Sequence, residues 1–326
     1  MSLLHAQIET FALRRHFTIS RGTKTETIVV VAQVSDGAAT GRGECGPNAR
    51  YGETPESVVS AIQSMAPAIR DGMTRAGLQA AMPAGAARNA IDCALWDLEA
   101  RSTGIPAWLR AGLTEPEPVV TAFTLSADGP ESMSREAETN AGRPLLKLKL
   151  TGEGDLARVR AVRAAAPNVR LIVDANEAWN VPVYEALVPE LNALGVELIE
   201  QPFPAGDDEA LVRLDRPVPV CADEAFHDRT SLPELKDKYD LVNIKLDKTG
   251  GLTEALAVCA AARADGFGVM VGCMVGTSLA MAPAMLVAQG AAYVDLDGPL
   301  LLARDRTPGL SIDGSCLALP QSGLWG

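Results

Sequence analysis

Between Leu145 and Lys245 five short apolar runs each end in charge: LLKLKL (145–150), LIVDAN (171–176), ELIEQP (197–202), VCADEA (220–225) and LVNIKLDKTGG (241–251). The charged ends Lys149, Asp174, Glu200, Asp223 and Lys245 follow one another at the spacing of one βα unit. A parallel strand covered on both faces reads as a near-continuous apolar run of about 4–8 residues, and the returning helix sets the distance between runs. Ionisable groups are expensive to bury, so their repetition at successive strand ends needs a common reason. In a closed (β/α) barrel the C-terminal strand ends gather at one mouth, where active sites sit. The pattern therefore puts three carboxylates and two or three lysines around one rim.

Extending the rhythm in both directions predicts eight strands, at 119–124, 145–150, 170–174, 196–200, 218–222, 241–246, 268–272 and 292–296, with Ala-rich amphipathic helices between most of them. Eight is the number a (β/α) barrel of α/β class requires. The preceding residues read differently. Alternation through residue 46, clearest from Thr27 to Ala32, suits antiparallel strands, with a loop from Ile19 to Lys24 between the first two. GRGECGPNARYGE (41–53) reads as an irregular loop, and Thr54-Pro55 opens a helix with Thr as N-cap. A second helix, GAARNAIDCALWDLEAR (85–101), carries Ala87, Ile91, Ala94, Leu95 and Leu98 on one face and is ended by Gly104-Ile105-Pro106. Strands first and helices after define an α+β domain over residues 1–116. The stiff Glu115-Pro116-Glu117-Pro118 segment is the boundary, the barrel occupies 117–305, and the tail 306–326, which lacks the βα rhythm, returns to the first domain.

Composition narrows the function. The chain has 326 residues and a formal charge of −12, which argues against a nucleic-acid partner because phosphate binding needs clustered Lys and Arg. An anionic ligand would need local cations or a metal. The six cysteines show no Cys-x-x-Cys spacing and read as scattered reduced thiols of a cytoplasmic protein. Arg14-Arg15-His16 interrupts the N-terminal apolar stretch, so no signal peptide is expected. The most apolar later stretch, Leu279 to Val294, is broken by Pro283, Gln289 and Gly290, so no membrane span is expected.

Lys147 and Lys149 are two apart and share one face of their strand. A solvent-facing amphipathic strand explains that pattern in isolation. In a barrel strand, however, one face is covered by helices and the other points inward, and neither is a cheap place for two ammonium groups. Two like charges side by side depress the pKa of each, which suits a lysine acting as a base near neutral pH. Asp174, Glu200 and Asp223 give one carboxylate per consecutive strand end, with no His or Cys among them. That hard, all-oxygen set suits Mg²⁺ better than Zn²⁺. Each could instead cap the next helix, but Glu200 sits badly with that, because Gln201-Pro202 and more loop follow it. Lys245 shares a face with Asn243 on the sixth strand, across the barrel from the second. Lysines on opposite sides of a metal-bound substrate can take an α-proton from one face of a carbon and return it to the other, while the metal takes up enolate-like charge. Asp295 and Asp297 in DLDGP also share a face; they read either as a cation site across the mouth or as a polar loop start. None of the three histidines falls at a suitable strand end.

At K-L-K (147–149), D-A-N (174–176), E-Q-P (200–202), A-D-E (222–224) and N-I-K-L-D-K-T-G-G (243–251), the chain resembles the enolase superfamily, muconate-lactonizing subgroup, and within it the L-Ala-D/L-Glu dipeptide epimerases. The resemblance covers almost the whole chain and implies a modified, TIM-like (β/α)7β barrel with an N-terminal α+β capping domain. It implies one Mg²⁺ per subunit on Asp174, Glu200 and Asp223, and acid/base lysines Lys149 and Lys245, since enolase-superfamily sites pair a Lys or His base with Mg²⁺. Lys147 would tune Lys149 and contact the substrate carboxylate. The stretch 85–98 also matches, in a structural role. In the dipeptide epimerases a D-x-D at the eighth strand binds the substrate ammonium, matched by Asp295-Leu296-Asp297, and a first-domain arginine faces the glutamate side chain, matched by Arg21 with Lys24 as helper. A zwitterionic dipeptide needs carboxylates for its amine, a cation for its side chain and a metal for its α-carboxylate. Tyr51 and Thr124 join the candidate substrate contacts. The chain departs from mandelate-racemase-like members after the seventh strand, where Val271-Gly272-Cys273-Met274 offers no histidine.

The expected activity is Mg²⁺-dependent 1,1-proton transfer at the glutamate α-carbon, serving recycling of cell-wall peptides. A cycloisomerase or o-succinylbenzoate synthase on the same scaffold is the runner-up; its substrates have no amine and leave Asp295 and Asp297 without work. A non-enzymatic metal-binding barrel would not need lysines on both faces. Oligomeric state, monomer or homo-oligomer, is not legible.

Overall fold

The computed structural model describes residues 1–321 and 323–326. The chain opens with a three-stranded antiparallel sheet of β1 (Leu3–Ile19), β2 (Gly22–Asp36) and β3 (Ala39–Cys45). Helices α1 (Pro55–Ser64), α2 (Ala66–Arg70), α3 (Arg75–Ala81), α4 (Ala86–Thr103) and α5 (Ala107–Arg110) follow. Thr54 caps α1 as expected, its side chain accepting from Ser57 N within a capping box. Two segments are more regular than their composition suggests. Ser20-Arg21 alone turns the first hairpin, with Ile19 opposite Gly22, so Lys24 lies in β2. Gly41 to Cys45 is strand, not loop: a Cβ on Gly41 or Gly43 would lie 2.1 Å from Ala94 O or 2.2 Å from Ala90 O. These glycines let α4 settle directly on β3.

Helix α4 is buried almost all round rather than on one face, because the first-domain sheet covers one side and the barrel the other. Its polar residues are spent on the barrel. Arg88 donates to the Gly250 and Thr249 carbonyls at 3.0 and 2.7 Å, Asn89 donates to Asp247 Oδ1 at 2.9 Å, and Asp92 Oδ2 accepts from Thr253 N at 2.9 Å. Gly250 and Gly251 lie at φ 74° and 116°, and a Cβ on either would fall 2.5 Å from Arg88 Nε or Asp92 Cβ. The D-K-T-G-G run is thus the seat for the first domain's central helix.

After β4 (Val119–Val120) come β5 (Phe123–Leu125), α6 (Pro130–Thr139), β6 (Leu145–Lys149), α7 (Asp155–Ala165), β7 (Arg170–Asp174), α8 (Val181–Ala193), β8 (Val196–Glu200), β9 (Val220–Ala222), α9 (Leu232–Leu235), β10 (Leu241–Ile244), α10 (Leu246–Thr249), α11 (Leu252–Ala264), β11 (Gly268–Gly272), α12 (Ser278–Val287) and β12 (Tyr293–Asp295). Strands β5 to β12 form one eight-stranded sheet in sequence order, every pairing parallel. Its two edges meet where Ala122 N donates to Val294 O at 2.8 Å, giving a nearly closed barrel. One expected strand divides: Val119–Val120 leaves the barrel and pairs with the hairpin of β13 (Ile312–Asp313) and β14 (Cys316–Leu317), so only Phe123–Leu125 is barrel wall. The tail lies on α4, with Trp325 Nε1 donating to Cys93 O at 3.0 Å and Gly326 N to Asp97 Oδ1 at 2.8 Å.

Period-two alternation sorts the interior. Ala122, Leu145, Ile172, Leu198, Cys221, Leu241 and Met270 fill the barrel floor as one apolar cluster. Two residues further along those strands come Thr124, Lys147, Asp174, Glu200, Asp223, Asn243 and Gly272. The floor is apolar and the next layer is charged.

Two measurements test these packing arguments. Gly43→Ala should cost roughly 1–3 kcal/mol or more, since its Cβ meets backbone that cannot yield, whereas Gly142→Ala, with nothing within 4 Å, should stay within about 0.5 kcal/mol; denaturant unfolding reads both. Burial pushes the Asp247 carboxyl up to about 7 against hydrogen bonds from Gly46 N and Asn89. A buried carboxyl with a raised pKa binds its proton more tightly in the folded state, so its contribution is present at low pH and lost as pH rises from its unfolded value through about 7. Asp247→Asn should therefore gain stability relative to wild type by a few kcal/mol, in order of magnitude, between pH 4 and pH 8.

Candidate active site

The parallel register brings the charged strand ends level, pairing Lys149 with Asp174 and Asp174 with Glu200. Asp223, two residues beyond Cys221, joins them, and one oxygen from each of Asp174, Glu200 and Asp223 lies within 4.8 Å of the others. All three carboxylates are buried. Lys147 Nζ sits 2.6 Å from Glu200 Oε2, 2.6 Å from Asp295 Oδ2 and 3.3 Å from Asp174 Oδ2. Lys149 Nζ reaches Asp174 Oδ2 at 2.6 Å, and on the other side of the barrel Lys245 Nζ reaches Asp223 Oδ2 at 2.6 Å.

Burial disfavours every one of these charges, and the neighbours decide the outcome. Burial works against the Asp174 charge, but Lys149 and Lys147 hold its carboxyl down to about 2. Lys245 and Lys248 likewise overcome burial and hold Asp223 well below the usual carboxylate range. Glu200 goes the other way: burial and the Asp174 charge push it up to about 7, with Lys147 opposing. Burial lowers the Lys147 pKa, yet Asp295, Glu200 and Asp174 outweigh it and raise the ammonium well above its ordinary value. The expectation that paired lysines depress one another thus fails for Lys147, because three carboxylates within ion-pair distance hold its charge. Lys245 is also raised, burial being overcome by Asp223 and Glu200.

Asp295 and Asp297 are buried where the barrel closes. Thr124 N donates to Asp297 Oδ2 at 2.7 Å, and Thr124 Oγ1 lies 3.5 Å from Asp295 Oδ1. Burial and the neighbouring Asp295 push Asp297 up to about 7. Arg21, at the tip of the first hairpin, crosses to the barrel and donates to Glu224 Oε1 at 2.7 Å and Asn176 O at 3.1 Å. Lys24 is exposed on β2, and its side chain makes no hydrogen bond or ion pair among the described residues. Tyr51 is half-buried, its ring edge-on to His227 with centroids 5.0 Å apart.

Four contributors were not singled out from sequence. Lys248 Nζ donates to both Asp223 Oδ1 and Asp223 O at 2.6 Å, so Asp223 lies between two ammonium groups. Asn243 Nδ2 donates to Glu200 Oε1 at 2.8 Å. Gln201, at φ 33°, turns its Oε1 to accept from Asp223 N and Ala225 N at 2.9 and 3.0 Å. Glu177 accepts from Arg21 and Arg50. For Lys248, Asn243 and Gln201 the sequence signal was membership of the same charged motifs, notably the second lysine of NIKLDKTGG, whereas Glu177 lies one residue past LIVDAN and had none.

A buried, all-oxygen triad of hard donors fits a divalent metal ion, and the Lys147 ammonium already bridges two of its members as a cation would. A parallel barrel with successive Asp, Glu and Asp strand ends, lysines on opposite walls and an α+β domain over the mouth defines an enolase-type protein. The enolase C-terminal domain-like family model matches residues 132–324, and the mandelate racemase/muconate lactonizing enzyme N-terminal domain matches 6–109. The chain belongs to that family. It is 47% identical over 304 residues to the L-Ala-D/L-Glu epimerase of Escherichia coli K12, covering 93% of this chain and 95% of that one. It is 43% identical over 303 residues to the N-acetyl-D-glutamate racemase of a Pseudoalteromonas species, covering 91% and 95%. Among solved structures, an Agrobacterium tumefaciens enolase family member with homology to dipeptide epimerases, crystallised with sodium and L-Ala-L-Glu, superposes with a TM-score of 0.99 at 53% identity over all of both chains. The Escherichia coli and Pseudoalteromonas relatives are an epimerase and a racemase, and the chain is an isomerase of that kind. Among the described residues no helix is long and apolar enough to cross a membrane.

Lys248→Met would leave Asp223 with one ammonium partner in place of two. Removing one partner of a buried ionic cluster costs about 3 kcal/mol, so metal-free protein should lose stability by that order in denaturant unfolding.

Proposed function

We propose that the chain epimerises L-Ala-D/L-Glu by two-base 1,1-proton transfer at the glutamate α-carbon. The observation that carries the reading is that two lysines project from opposite walls, β6 and the end of β10, onto either side of one carboxylate triad. Asp174, Glu200 and Asp223 would hold Mg²⁺. Bound there, Mg²⁺ supplies positive charge that stabilises the enolate-like charge developing on the substrate carboxylate. Lys149 and Lys245 face the α-carbon from opposite sides, one removing the proton and the other delivering one. Lys147 orients the substrate carboxylate, Asp295, Asp297 and Thr124 receive its ammonium group, and Arg21 receives the glutamate side chain, with Tyr51 beside the pocket. Lys24, exposed and unpaired among the described residues, is the weakest member of this set. The product fits a cytoplasmic step in recycling murein peptides. Supporting the substrate reading are the 47% identity to an L-Ala-D/L-Glu epimerase and the L-Ala-L-Glu held by the structural neighbour.

A second reading, racemisation of N-acetylglutamate, is favoured by the 43% identical relative and by Asp295 already having a cation, Lys147, at 2.6 Å. An acetylated amine needs no carboxylate partner, so this substrate would leave Asp297 without a ligand.

Proton NMR in D₂O decides between them. L-Ala-L-Glu and L-Ala-D-Glu should each lose the glutamate α-proton signal and yield both diastereomers with Mg²⁺, and EDTA should stop the reaction. N-acetyl-D-glutamate should exchange far more slowly; faster exchange there than on the dipeptides would reverse the assignment. Lys149→Met and Lys245→Met should each lower epimerisation at least ~100-fold, while each retains exchange on the one epimer its remaining lysine faces.

A further inference from the structure

Glu177 lies outside the carboxylate triad, yet it is where three separate loops meet the barrel. Its Oε1 accepts from Arg50 Nη2 and Ala205 N, both at 2.8 Å, and its Oε2 accepts from Arg50 Nε at 2.9 Å and Arg21 Nη1 at 3.1 Å. Arg50 comes from the loop after β3, Arg21 from the first hairpin tip, and Ala205 from the loop after β8. Glu177 and its neighbour Asn176 both sit in left-handed backbone, at φ 68° and 43°. Such conformations in residues with a Cβ cost of order 1 kcal/mol each and persist only where the surroundings over-determine them. Here they aim the Glu177 carboxylate and the Asn176 carbonyl at the same guanidinium.

Arg21 is thereby held on three sides, by Asn176 O, Glu177 and Glu224. These contacts use three of its five N–H groups, and its Nε–H and one Nη2 hydrogen have no partner among the described residues. A ligand carboxylate can therefore be accepted without displacing any of the three anchors.

We propose that Glu177 is a positioning residue for substrate specificity: it fixes Arg21 over the barrel mouth so that the guanidinium is pre-oriented for an acidic side chain. The proposal rests on the reading that Arg21 receives the glutamate side chain. Two effects of Glu177 oppose each other. Its negative charge repels an acidic ligand, and its geometry holds the cation that attracts one. The fork with Arg50 neutralises the charge at contact distance, so the positioning effect dominates.

The test is steady-state kinetics of Glu177→Gln on L-Ala-L-Glu and on L-Ala-L-Met, which lacks the side-chain carboxylate, with Arg50→Lys as a second variant that loosens the fork and spares Glu177. KM for L-Ala-L-Glu should rise roughly tenfold in Glu177→Gln, the size of one weakened charge-assisted contact, and by less in Arg50→Lys. In both variants kcat and the L-Ala-L-Met reaction should change little. The Arg21→Ala, Glu177→Gln double variant should lose no more than Arg21→Ala alone. An unchanged or lowered KM, equal losses on both dipeptides, or additive losses in the double variant would each overturn the proposal while leaving the epimerase reading intact. Wild-type protein that exchanges L-Ala-L-Met but not L-Ala-L-Glu would overturn the substrate reading and this proposal together.

Discussion

Everything in the barrel mouth depends on pairing buried negative charge with buried positive charge. Three carboxylates whose oxygens fit within 4.8 Å could not all stay ionised in a protein interior by themselves. The chain answers with ammonium groups from two sides: Lys147 and Lys149 from β6, Lys245 and Lys248 from the turn after β10. The same pairing makes the site usable. Asp174 and Asp223, each with two lysines, stay anionic, whereas Glu200, with Lys147 alone within ion-pair reach among the described residues, is lifted to about 7. Identical chemistry at three strand ends is differentiated by the neighbours.

That charged layer also dictates what must surround it. Below it lies a floor of buried apolar side chains packed as one cluster. Above it the first domain must be placed accurately, because Arg21 reaches the mouth from the far end of a long hairpin. Accuracy comes from backbone contact rather than from side-chain burial alone. Gly41 and Gly43 let α4 touch β3, and Gly250 and Gly251 let the same helix touch the barrel. The helix is thus clamped between two pairs of glycines, with Arg88 and Asn89 tying it to the turn that carries Lys245 and Lys248 and Asp92 tying it to the start of α11. Domain docking and two lysines of the charged ring share one short segment.

This explains which parts were legible in the sequence. The barrel strands and the charged ring show because each signal is local: an apolar run of fixed length with a charge at its end. Period-two spacing alone ranks Lys147 with Lys149 and Asp295 with Asp297 on common faces, and the structure buries all four. Gly41 and Gly43 misled for a physical reason. Glycine usually marks a turn, but here it marks a strand pressed against a helix, and the helix backbone that forbids a Cβ is some fifty residues away in the chain. Val119–Val120 misled in the same way, since the partner that takes it from the barrel is the C-terminal hairpin.

The carboxylates make the general point most sharply. Glu177, Glu224 and Asp297 are as acidic in sequence as Asp174 and Asp223, and nothing in their spacing separates a member of the buried triad from a loop anchor. What separates them is the partner each receives. Asp223 meets lysines 22 and 25 residues away, on the next barrel strand and its turn, and a βα pattern predicts such neighbours. Glu177 meets Arg50 and Arg21 at separations of 127 and 156 residues, through loops whose lengths carry no period. The charged ring of this protein is written in its strands and is readable there. The contacts that hold Arg21 run between loops of two domains, and those exist only once the domains have docked.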